Sequence, residues 1–166
     1  MTVLARKICL LGDFAVGKTS TVARFVNQTF SEAYQTTVGV KVDSKAVSLD
    51  EERTVRMVVW DIAGSSNIDQ TRANYVKGAH GLMLVADGTR QDTFTSALDL
   101  WLQACDTCGG ELPAVLMVNK ADLADRWEVS VEMAEQIGRL VPLFKVSART
   151  GASVEDAFSA LAGMVS

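Results

Sequence analysis

The sequence predicts an α/β fold built on a six-stranded, mostly parallel sheet with helices on both faces. Apolar runs of strand length alternate with helical patterns along the whole chain, which is typical of parallel strands connected by helices. Two of these runs, 40–49 and 54–60, are separated only by an acidic turn, which indicates one antiparallel strand pair. The 166 residues suffice to bury a core, and we expect a single domain covering 1–166.

The individual elements follow from local patterns. Six segments have the composition and length of strands: 8–11, 40–49, 54–60, 82–86, 114–118 and 141–146. A helix is predicted over about 18–26. The helix after the fourth strand is predicted from apolar residues at helical spacing, which are Phe94, Leu98, Trp101 and Cys105. Ser153 begins a capping-box pattern that predicts the start of the final helix.

Composition excludes several classes of function. The net charge of −4 argues against binding nucleic acid through bulk electrostatics. The sequence has no apolar run of the roughly 20 residues that span a bilayer, and its start lacks a signal-peptide layout. Three cysteines do not form a disulfide framework, and Cys105 and Cys108 have no second pair to complete a metal site. We therefore expect a cytoplasmic protein.

Residues 12–19, G-D-F-A-V-G-K-T, match the phosphate-binding pattern G-x-x-x-x-G-K-[ST]. A strand precedes the pattern and a helix follows it, which favours a nucleoside triphosphate site over a glycine turn with a chance lysine. Glycines allow the backbone N–H groups to surround the phosphates. Lys18 supplies positive charge at the β- and γ-phosphates, and the hydroxyl of Thr19 is a ligand for Mg²⁺. The predicted phosphate-binding residues are Ala15, Val16, Gly17, Lys18, Thr19 and Ser20.

Residues 119–122, N-K-A-D, follow the fifth predicted strand, at the sheet edge where such folds bind ligands. A carboxylate at Asp122 accepts hydrogen bonds from two adjacent N–H donors of guanine, a pair that adenine does not offer. Ser147, Ala148 and Arg149 follow the last strand, where a backbone N–H reaches the guanine O6. Alone, N-K-A-D is also compatible with a polar helix-entry loop, but the phosphate loop upstream favours the guanine site.

With these motifs the chain resembles the Ras superfamily of small GTPases, most closely its Rab branch, along nearly its whole length. Residues 60–64 read W-D-I-A-G where that branch has W-D-T-A-G. Residues 75–81, Y-V-K-G-A-H-G, are similar to the Rab segment Y-Y-R-G-A-H-G, and residues 37–40, T-V-G-V, to T-I-G-V. The resemblance implies a P-loop GTPase domain that binds GTP or GDP with Mg²⁺ and hydrolyses GTP.

The resemblance also implies a role for each matching residue. The implied metal ligands are Thr19, Thr37 and Asp61, and the implied catalytic residues are Lys18, Thr37, Gly64 and Ser65. Tyr34 falls where a tyrosine closes over the phosphates. Phe30 falls where an aromatic residue packs on guanine, although a core position is equally compatible with its sequence context. Asn119, Lys120 and Ala148 complete the implied base site beside Asp122.

The chain departs from the family pattern at the site of hydrolysis. Ser65 stands in place of the glutamine that orients the attacking water, and a serine is too short to hold it. Slow intrinsic hydrolysis is therefore expected, and the spacing of Gln70 gives little support for a substitute. Phe14 and Ala15 occupy P-loop positions that usually carry small residues. Phe14 either crowds the γ-phosphate and an arginine finger or folds outward onto the second switch segment, residues 64–75.

Two other functions are weighed against a hydrolysing switch. One is a non-hydrolysing, constitutively GTP-bound interaction module, and the other is a metabolic kinase, which the guanine motif and the lack of room for a lid disfavour.

The resemblance implies three partners at the switch regions, namely an effector, an exchange factor and an activating protein. We expect a monomer without nucleic-acid partners. No cysteine follows Cys108, so no membrane anchor is expected in this chain. His80 is expected to be structural.

Overall fold

The computed structural model describes residues 2–33 and 37–166. The strands of this part of the chain are β1 (Thr2–Gly12), β2 (Val40–Ser48), β3 (Arg53–Ile62), β4 (Gly81–Asp87), β5 (Ala114–Asn119) and β6 (Leu143–Lys145). The α-helices are α1 (Lys18–Asn27), α2 (Gln70–Val76), α3 (Asp92–Cys108), α4 (Val131–Gly138) and α5 (Val154–Val165), with a 3₁₀ turn at Ala124–Arg126.

The six strands form one sheet in the order β2-β3-β1-β4-β5-β6. Only the β2–β3 pair is antiparallel, with Val40 opposite Ile62 and Ser48 opposite Thr54. The other four pairings are parallel. The predicted fold class is therefore confirmed, including the single antiparallel pair. The parallel strands all end at one edge of the sheet, where the loops that carry the sequence motifs meet.

Helices cover both faces of the sheet, and β1 shows why. Its residues alternate between two buried clusters, because successive side chains of a strand point to opposite faces. Ile8 and Leu10 pack in the cluster that contains the apolar residues of α1 and α5. Cys9 and Leu11 pack in the cluster that contains those of α2, α3 and α4. This central strand therefore fixes the P-loop, which follows it, against both layers of helices.

Apart from the start of β1, every strand boundary lies within two residues of the prediction, and the differences at β1 and β6 have identifiable causes. β1 begins at Thr2 rather than at residue 8, because its half-exposed amino-terminal half pairs with β3 from Arg53 onwards. β6 is limited to Leu143–Lys145 instead of 141–146. Pro142, directly before it, has no N–H to give to the sheet, although its carbonyl accepts from the Leu116 N–H.

The sequence patterns missed α2 and α4, which are only 7 and 8 residues long. Both have a capping signal that the hydrophobic pattern did not show. The side chain of Asp69 accepts from the Arg72 N–H, and that of Ser130 accepts from the Met133 N–H. The predicted cap of α5 is wrong: Ser153 has a left-handed backbone with φ 57°, and its side chain makes no capping hydrogen bond.

Cys105, Cys108 and His80 are not expected to be functional residues, and the structure places each of them in a helix or beside a strand. Cys105 and Cys108 lie on α3, and residues 2–33 and 37–166 contain no group of three histidine, cysteine, aspartate or glutamate side chains that could hold a metal ion. None of the helices in the described part has the length and apolar character needed to cross a membrane. His80 joins the start of β4 to β1: its Nδ1 accepts from the Lys7 N–H, and its own N–H donates to the Lys7 carbonyl, both at 2.8 Å.

The His80 contact predicts a pH-dependent stability. Burial lowers the pKa of His80 below 6.5, and the charges of Arg6 and Lys7 lower it further. Because the unfolded chain takes up the proton more readily, this stability is present above the unfolded pKa and is lost as pH falls below about 6.5. Between pH 7.5 and 5.5, wild-type protein is expected to lose more thermal stability than His80→Asn, whose amide oxygen accepts the same N–H without titrating. Parallel losses in both proteins would contradict the assignment.

Candidate functional site

A cavity of about 410 Å³ opens at the carboxyl edge of the sheet. Its wall is formed by the loops that follow β1, β3, β5 and β6, as predicted from the positions of the motifs, and by residues between α1 and β2. The predicted site residues in this wall are Ala15, Gly17, Lys18, Thr19, Ser20, Phe30, Thr37, Gly64, Asn119, Lys120, Asp122, Ala148 and Arg149. The wall also contains residues that were not predicted, namely Ser31, Glu32, Ala33 and Leu123.

Side-chain donors hold the carbonyls of the P-loop, residues 12–16. Lys18 Nζ donates to the carbonyls of residues 12 and 13 at 3.2 and 3.4 Å. Arg90 donates to that of residue 14, Lys120 to that of residue 15 at 3.0 Å, and Asn119 to that of residue 16 at 3.0 Å. In a planar trans peptide the following N–H points the opposite way. The N–H groups of residues 15–17 therefore point away from these donors, as in loops that cradle phosphate.

Two P-loop residues have left-handed backbones. Gly17 has φ 98°, and a Cβ there would lie 2.2 Å from the Asn119 amide nitrogen. Glycine is thus required for the close approach of the N-K-A-D loop. Ala15 has φ 57° although it carries a Cβ, and this conformation is uncommon outside glycine, asparagine and aspartate.

Lys18 lies at the floor of the cavity with only 7% of its surface exposed. Burial lowers the pKa of its ammonium group, and the negative charges of Asp61 and Asp13 partly oppose that shift. A buried ammonium with nearby carboxylates is suited to contact an anionic ligand directly, because little water remains to screen the charge.

The oxygen atoms of Thr19, Thr37 and Asp61 meet beside Lys18. Thr19 Oγ1 lies 2.7 Å from Thr37 Oγ1 and donates to Asp61 Oδ2 at 2.6 Å. Asp61 is 1% exposed, and its Oδ1 has no hydrogen-bond partner among the residues that the structure describes. Burial raises the pKa of Asp61, although the Thr19 hydrogen bond and the charge of Lys18 oppose the shift.

This oxygen cluster fits Mg²⁺, which prefers hard oxygen ligands and is commonly held by one or two carboxylates together with substrate phosphates. An unpaired buried carboxylate oxygen is costly unless a cation or donor satisfies it. Thr19 and Thr37 would supply hydroxyl ligands, and Asp61 would supply the negative charge. The predicted metal residues are therefore brought together by the fold.

At the other end of the cavity, hydrogen bonds join the loops after β5 and β6. Ser147 Oγ donates to Asp122 Oδ1 at 2.8 Å, and the Ala148 N–H donates to Asn119 Oδ1 at 3.0 Å. In this arrangement the Ala148 N–H is directed at Asn119 rather than into the cavity. Arg24 of α1 holds the Ala148 carbonyl at 2.8 Å. Asp122 lines the cavity and keeps its other carboxylate oxygen available to a ligand.

Two aromatic residues, Phe30 and Phe14, line the cavity. Phe30 is 36% exposed and lines the cavity, so the core position considered for it is wrong. Phe14 is 57% exposed and also lines the cavity, which favours crowding of the phosphate end over packing on the second switch segment. Tyr34, predicted to close over the phosphates, lies outside the described residues.

Four predicted residues do not contribute to the cavity wall. Val16 is fully buried, Asp61 lies behind Thr19, Ser147 supports Asp122, and the Ser65 hydroxyl accepts from the Asn67 N–H at 3.1 Å. Gln70, considered as a substitute for the missing glutamine, donates to Asn74 within α2 at 3.2 Å.

The loop after β3 is fixed by contacts that the sequence did not predict. The Ala63 N–H donates to the Gly39 carbonyl at 2.9 Å, and the Ser65 N–H donates to the Gly12 carbonyl at 3.1 Å. Arg72 of α2 donates to the carbonyls of Ala63 at 2.9 Å and Gly64 at 3.1 Å. The Gly64 N–H is thereby held on the side opposite Arg72.

The sequence analysis also missed Asp87 and Arg90. Asp87 ends β4 with 1% exposure and forms ion pairs with Lys120 at 2.8 Å and Arg90 at 3.1 Å. A carboxylate that ends an otherwise fully apolar strand was the available signal, because a buried charge needs a partner. Its partners come from two separate loops and have no sequence spacing that indicates the contact.

The chain is similar to known proteins along nearly its whole length. The sequence profile described as "Ras family" matches residues 7–166. The chain is 35% identical over 164 residues to the Ras-related protein RIC1 of Oryza sativa subsp. japonica, covering 96% of this chain and 79% of that protein. It is 34% identical over 159 residues to the Ras-related protein Rab-1 of Theileria parva, covering 94% and 72%. It is also 34% identical over 157 residues to the GTP-binding protein ypt1 of Schizosaccharomyces pombe, covering 92% and 75%.

The close approach of Gly17 to Asn119 predicts that a side chain at residue 17 destabilises the protein. Gly17→Ala is expected to lower the free energy of unfolding by about 2 kcal/mol or more, because the Cβ collides with Asn119 and the backbone is left-handed. Gly163→Ala in α5 is the matched control: apart from the neighbouring backbone of its own helix, no described atom lies within 4 Å of its Cβ, and a helix gains up to about 1 kcal/mol from alanine. Denaturant unfolding measures both. Equal effects of the two substitutions would contradict the close approach.

Proposed function

The chain belongs to the Ras family as a Rab-like GTP-binding protein, and from this membership we propose that it is a guanine-nucleotide switch with slow intrinsic GTP hydrolysis. Members of this family bind GTP or GDP together with Mg²⁺ and hydrolyse GTP. The single observation that carries the proposal is the cavity in which P-loop, switch and guanine-motif residues meet.

In the proposed site the P-loop amides of residues 15–17 and Lys18 hold the phosphates. Mg²⁺, when bound beside Thr19, Thr37 and Asp61, supplies positive charge that offsets the charge of the phosphates. Lys18 stabilises negative charge on the transferring phosphoryl group, and the Gly64 N–H, directed away from Arg72, contacts the γ-phosphate. Hydrolysis is an in-line attack by water, which breaks the bond between the β–γ bridging oxygen and the γ-phosphorus.

At the guanine end, the Asp122 carboxylate accepts from the ring N1–H and the exocyclic amine of the base. Ser147 holds one oxygen of this carboxylate in place. Phe30 packs on one face of the base, and the stems of Lys120 and Arg149 pack near it from the opposite loops. Arg149 pairs with Glu32 at 3.0 Å across the cavity mouth, which brings the two sides of the base site together.

Slow hydrolysis follows from the side chains near Gly64. The Ser65 hydroxyl is engaged with the Asn67 N–H, and Gln70 is engaged with Asn74. Neither group is directed at a water beside the γ-phosphate, and such positioning is a large part of catalysis by this class of enzyme.

A second candidate function is a non-hydrolysing, constitutively GTP-bound interaction module. The observation that favours it is Phe14, which lines the phosphate end of the cavity with 57% of its surface exposed. At this position the ring obstructs an arginine finger from an activating protein.

Under both proposed functions, the chain acts as a single-domain monomer covering 1–166 in the cytoplasm. Its effector, exchange factor and activating protein contact the segments around residues 37–40 and 64–75.

The Ser65 proposal predicts a gain of activity. Ser65→Gln is expected to increase the single-turnover rate of GTP hydrolysis by at least about tenfold, because the longer amide reaches a water in line with the γ-phosphate. Ser66→Gln is the matched control, since Ser66 is exposed one residue further along, and its rate should equal that of wild type. Protein loaded with GTP and Mg²⁺ is followed by chromatography of bound nucleotide. Unchanged hydrolysis in Ser65→Gln would refute the explanation of slow turnover.

The Asp122 proposal predicts base selectivity. Inosine diphosphate lacks only the exocyclic amine of GDP, so wild-type protein should bind GDP at least about tenfold more tightly. Asp122→Ala should bind both nucleotides more weakly and remove most of the preference. Asp125→Ala, which changes an exposed carboxylate in the neighbouring 3₁₀ turn, should leave the preference intact. Competition against a fluorescent GDP analogue gives both affinities, and a preference that survives in Asp122→Ala would rule out this contact.

A further inference from the structure

The P-loop of this chain contains a backbone conformation that its sequence disfavours. Ala15 has φ 57°, and the Cβ of any L-residue other than glycine crowds the backbone in this region. Left alone, this residue would populate conformations with negative φ. The peptide planes on both sides of Ala15 would then rotate, and the N–H groups of residues 15 and 16 would lose their orientation.

Two cations hold the peptide planes on both sides of Ala15. The Arg90 guanidinium donates to the Phe14 carbonyl, and Lys120 Nζ donates to the Ala15 carbonyl at 3.0 Å. Fixing these two carbonyls fixes the planes that contain the N–H groups of residues 15 and 16. The left-handed conformation at Ala15 is thus held from both sides by charge-assisted hydrogen bonds, which are stronger than neutral ones.

Both cations are tethered to one buried carboxylate. Asp87 Oδ2 lies 2.8 Å from Lys120 Nζ and 3.1 Å from Arg90 Nε, and Asp87 is 1% exposed. The Thr89 N–H and hydroxyl donate to its other oxygen at 2.8 and 2.7 Å. Burial acts to raise the pKa of Asp87, but the hydrogen bonds from Lys120, Thr89 and Arg90 outweigh it, so the pKa is lowered and the carboxylate stays charged.

Arg90 is itself ordered before it reaches the P-loop. Its N–H donates to the Asp87 carbonyl at 3.0 Å, and its carbonyl accepts from the Thr93 hydroxyl at 2.7 Å. Its side chain therefore starts from a fixed turn at the beginning of α3. A side chain ordered in this way loses little conformational entropy when it contacts the loop.

We propose that Arg90, tethered by Asp87, is a positioning residue that keeps the alanine-containing P-loop in its phosphate-binding conformation. The inference rests on the proposed function, because it gives Arg90 a role in nucleotide retention. Lys120 is part of the guanine motif, whereas Arg90 lies outside every motif recognised in the sequence. The hydrogen bond from Arg90 to the P-loop compensates for the absence of glycine at residue 15. The contribution of Arg90 to the P-loop conformation therefore depends on which residue stands at position 15.

A double-mutant cycle tests this dependence. The four proteins are wild type, Arg90→Met, Ala15→Gly and the double variant, and the readout is the release rate of a fluorescent GDP analogue in the presence of Mg²⁺. In the alanine background, Arg90→Met is expected to accelerate release by about tenfold. In the Ala15→Gly background, glycine adopts the left-handed conformation without strain, and the acceleration should fall below about threefold.

Arg139→Met is the matched control, because it removes the charge of an exposed arginine after α4, and its release rate should equal that of wild type. Equal acceleration by Arg90→Met in both backgrounds would overturn the proposal, since the contact would then act independently of the strain. Unchanged release in the alanine background would overturn it as well.

A second measurement separates this proposal from the proposed function. Hydrogen–deuterium exchange of a peptide covering residues 12–18 is compared in nucleotide-stripped wild type and Arg90→Met. Faster exchange in Arg90→Met supports the positioning role of Arg90, and equal exchange contradicts it. If wild-type protein retains no guanine nucleotide, the proposed function fails, and the exchange comparison still decides the role of Arg90.

Discussion

The architecture of the site depends on one constraint, the fixed orientation of the carbonyls of residues 12–16. Each accepts a hydrogen bond from a side chain, and three of the donors lie at strand ends: Arg90 follows β4, Asn119 ends β5 and Lys120 follows β5. The parallel register places Gly12 beside Val85, and Asp87 beside Asn119. The P-loop is therefore shaped by the neighbouring strand ends, because its own sequence supplies only one of the donors, Lys18.

The nucleotide-binding positions of the cavity and the position of hydrolysis differ in whether their side chains are held for their task. At the phosphate and base sites, Lys18, Asn119 and Asp122 each have defined partners. Beside Gly64, by contrast, Ser65 is occupied by a local turn hydrogen bond. Binding requires fixed donors and acceptors, whereas hydrolysis also requires a group that holds a water in line. This contrast supports the proposal of a guanine-nucleotide switch with slow intrinsic hydrolysis.

The second switch segment is joined to the P-loop by its backbone and to α2 by Arg72. Arg72 pairs with Asp69 at 2.7 Å while it donates to two successive carbonyls after β3. The amino-terminal turn of α2 and the loop at Gly64 are thus one connected unit. In the proposed switch, a change in the contact of Gly64 with the γ-phosphate would be transmitted through Arg72 to α2, which belongs to the segment that we propose contacts partners.

The sequence by itself determined the α/β fold with one antiparallel strand pair, the P-loop and the guanine motif, because periodicity and motif spacing are local properties that a chain displays directly. It did not determine the short helices α2 and α4, whose stability comes from a cap and from packing rather than from length. Only the tertiary structure decided that Phe30 lines the cavity and that Asp87 binds both Arg90 and Lys120. These contacts join residues on separate loops, and a buried charge finds its partner in space rather than along the chain.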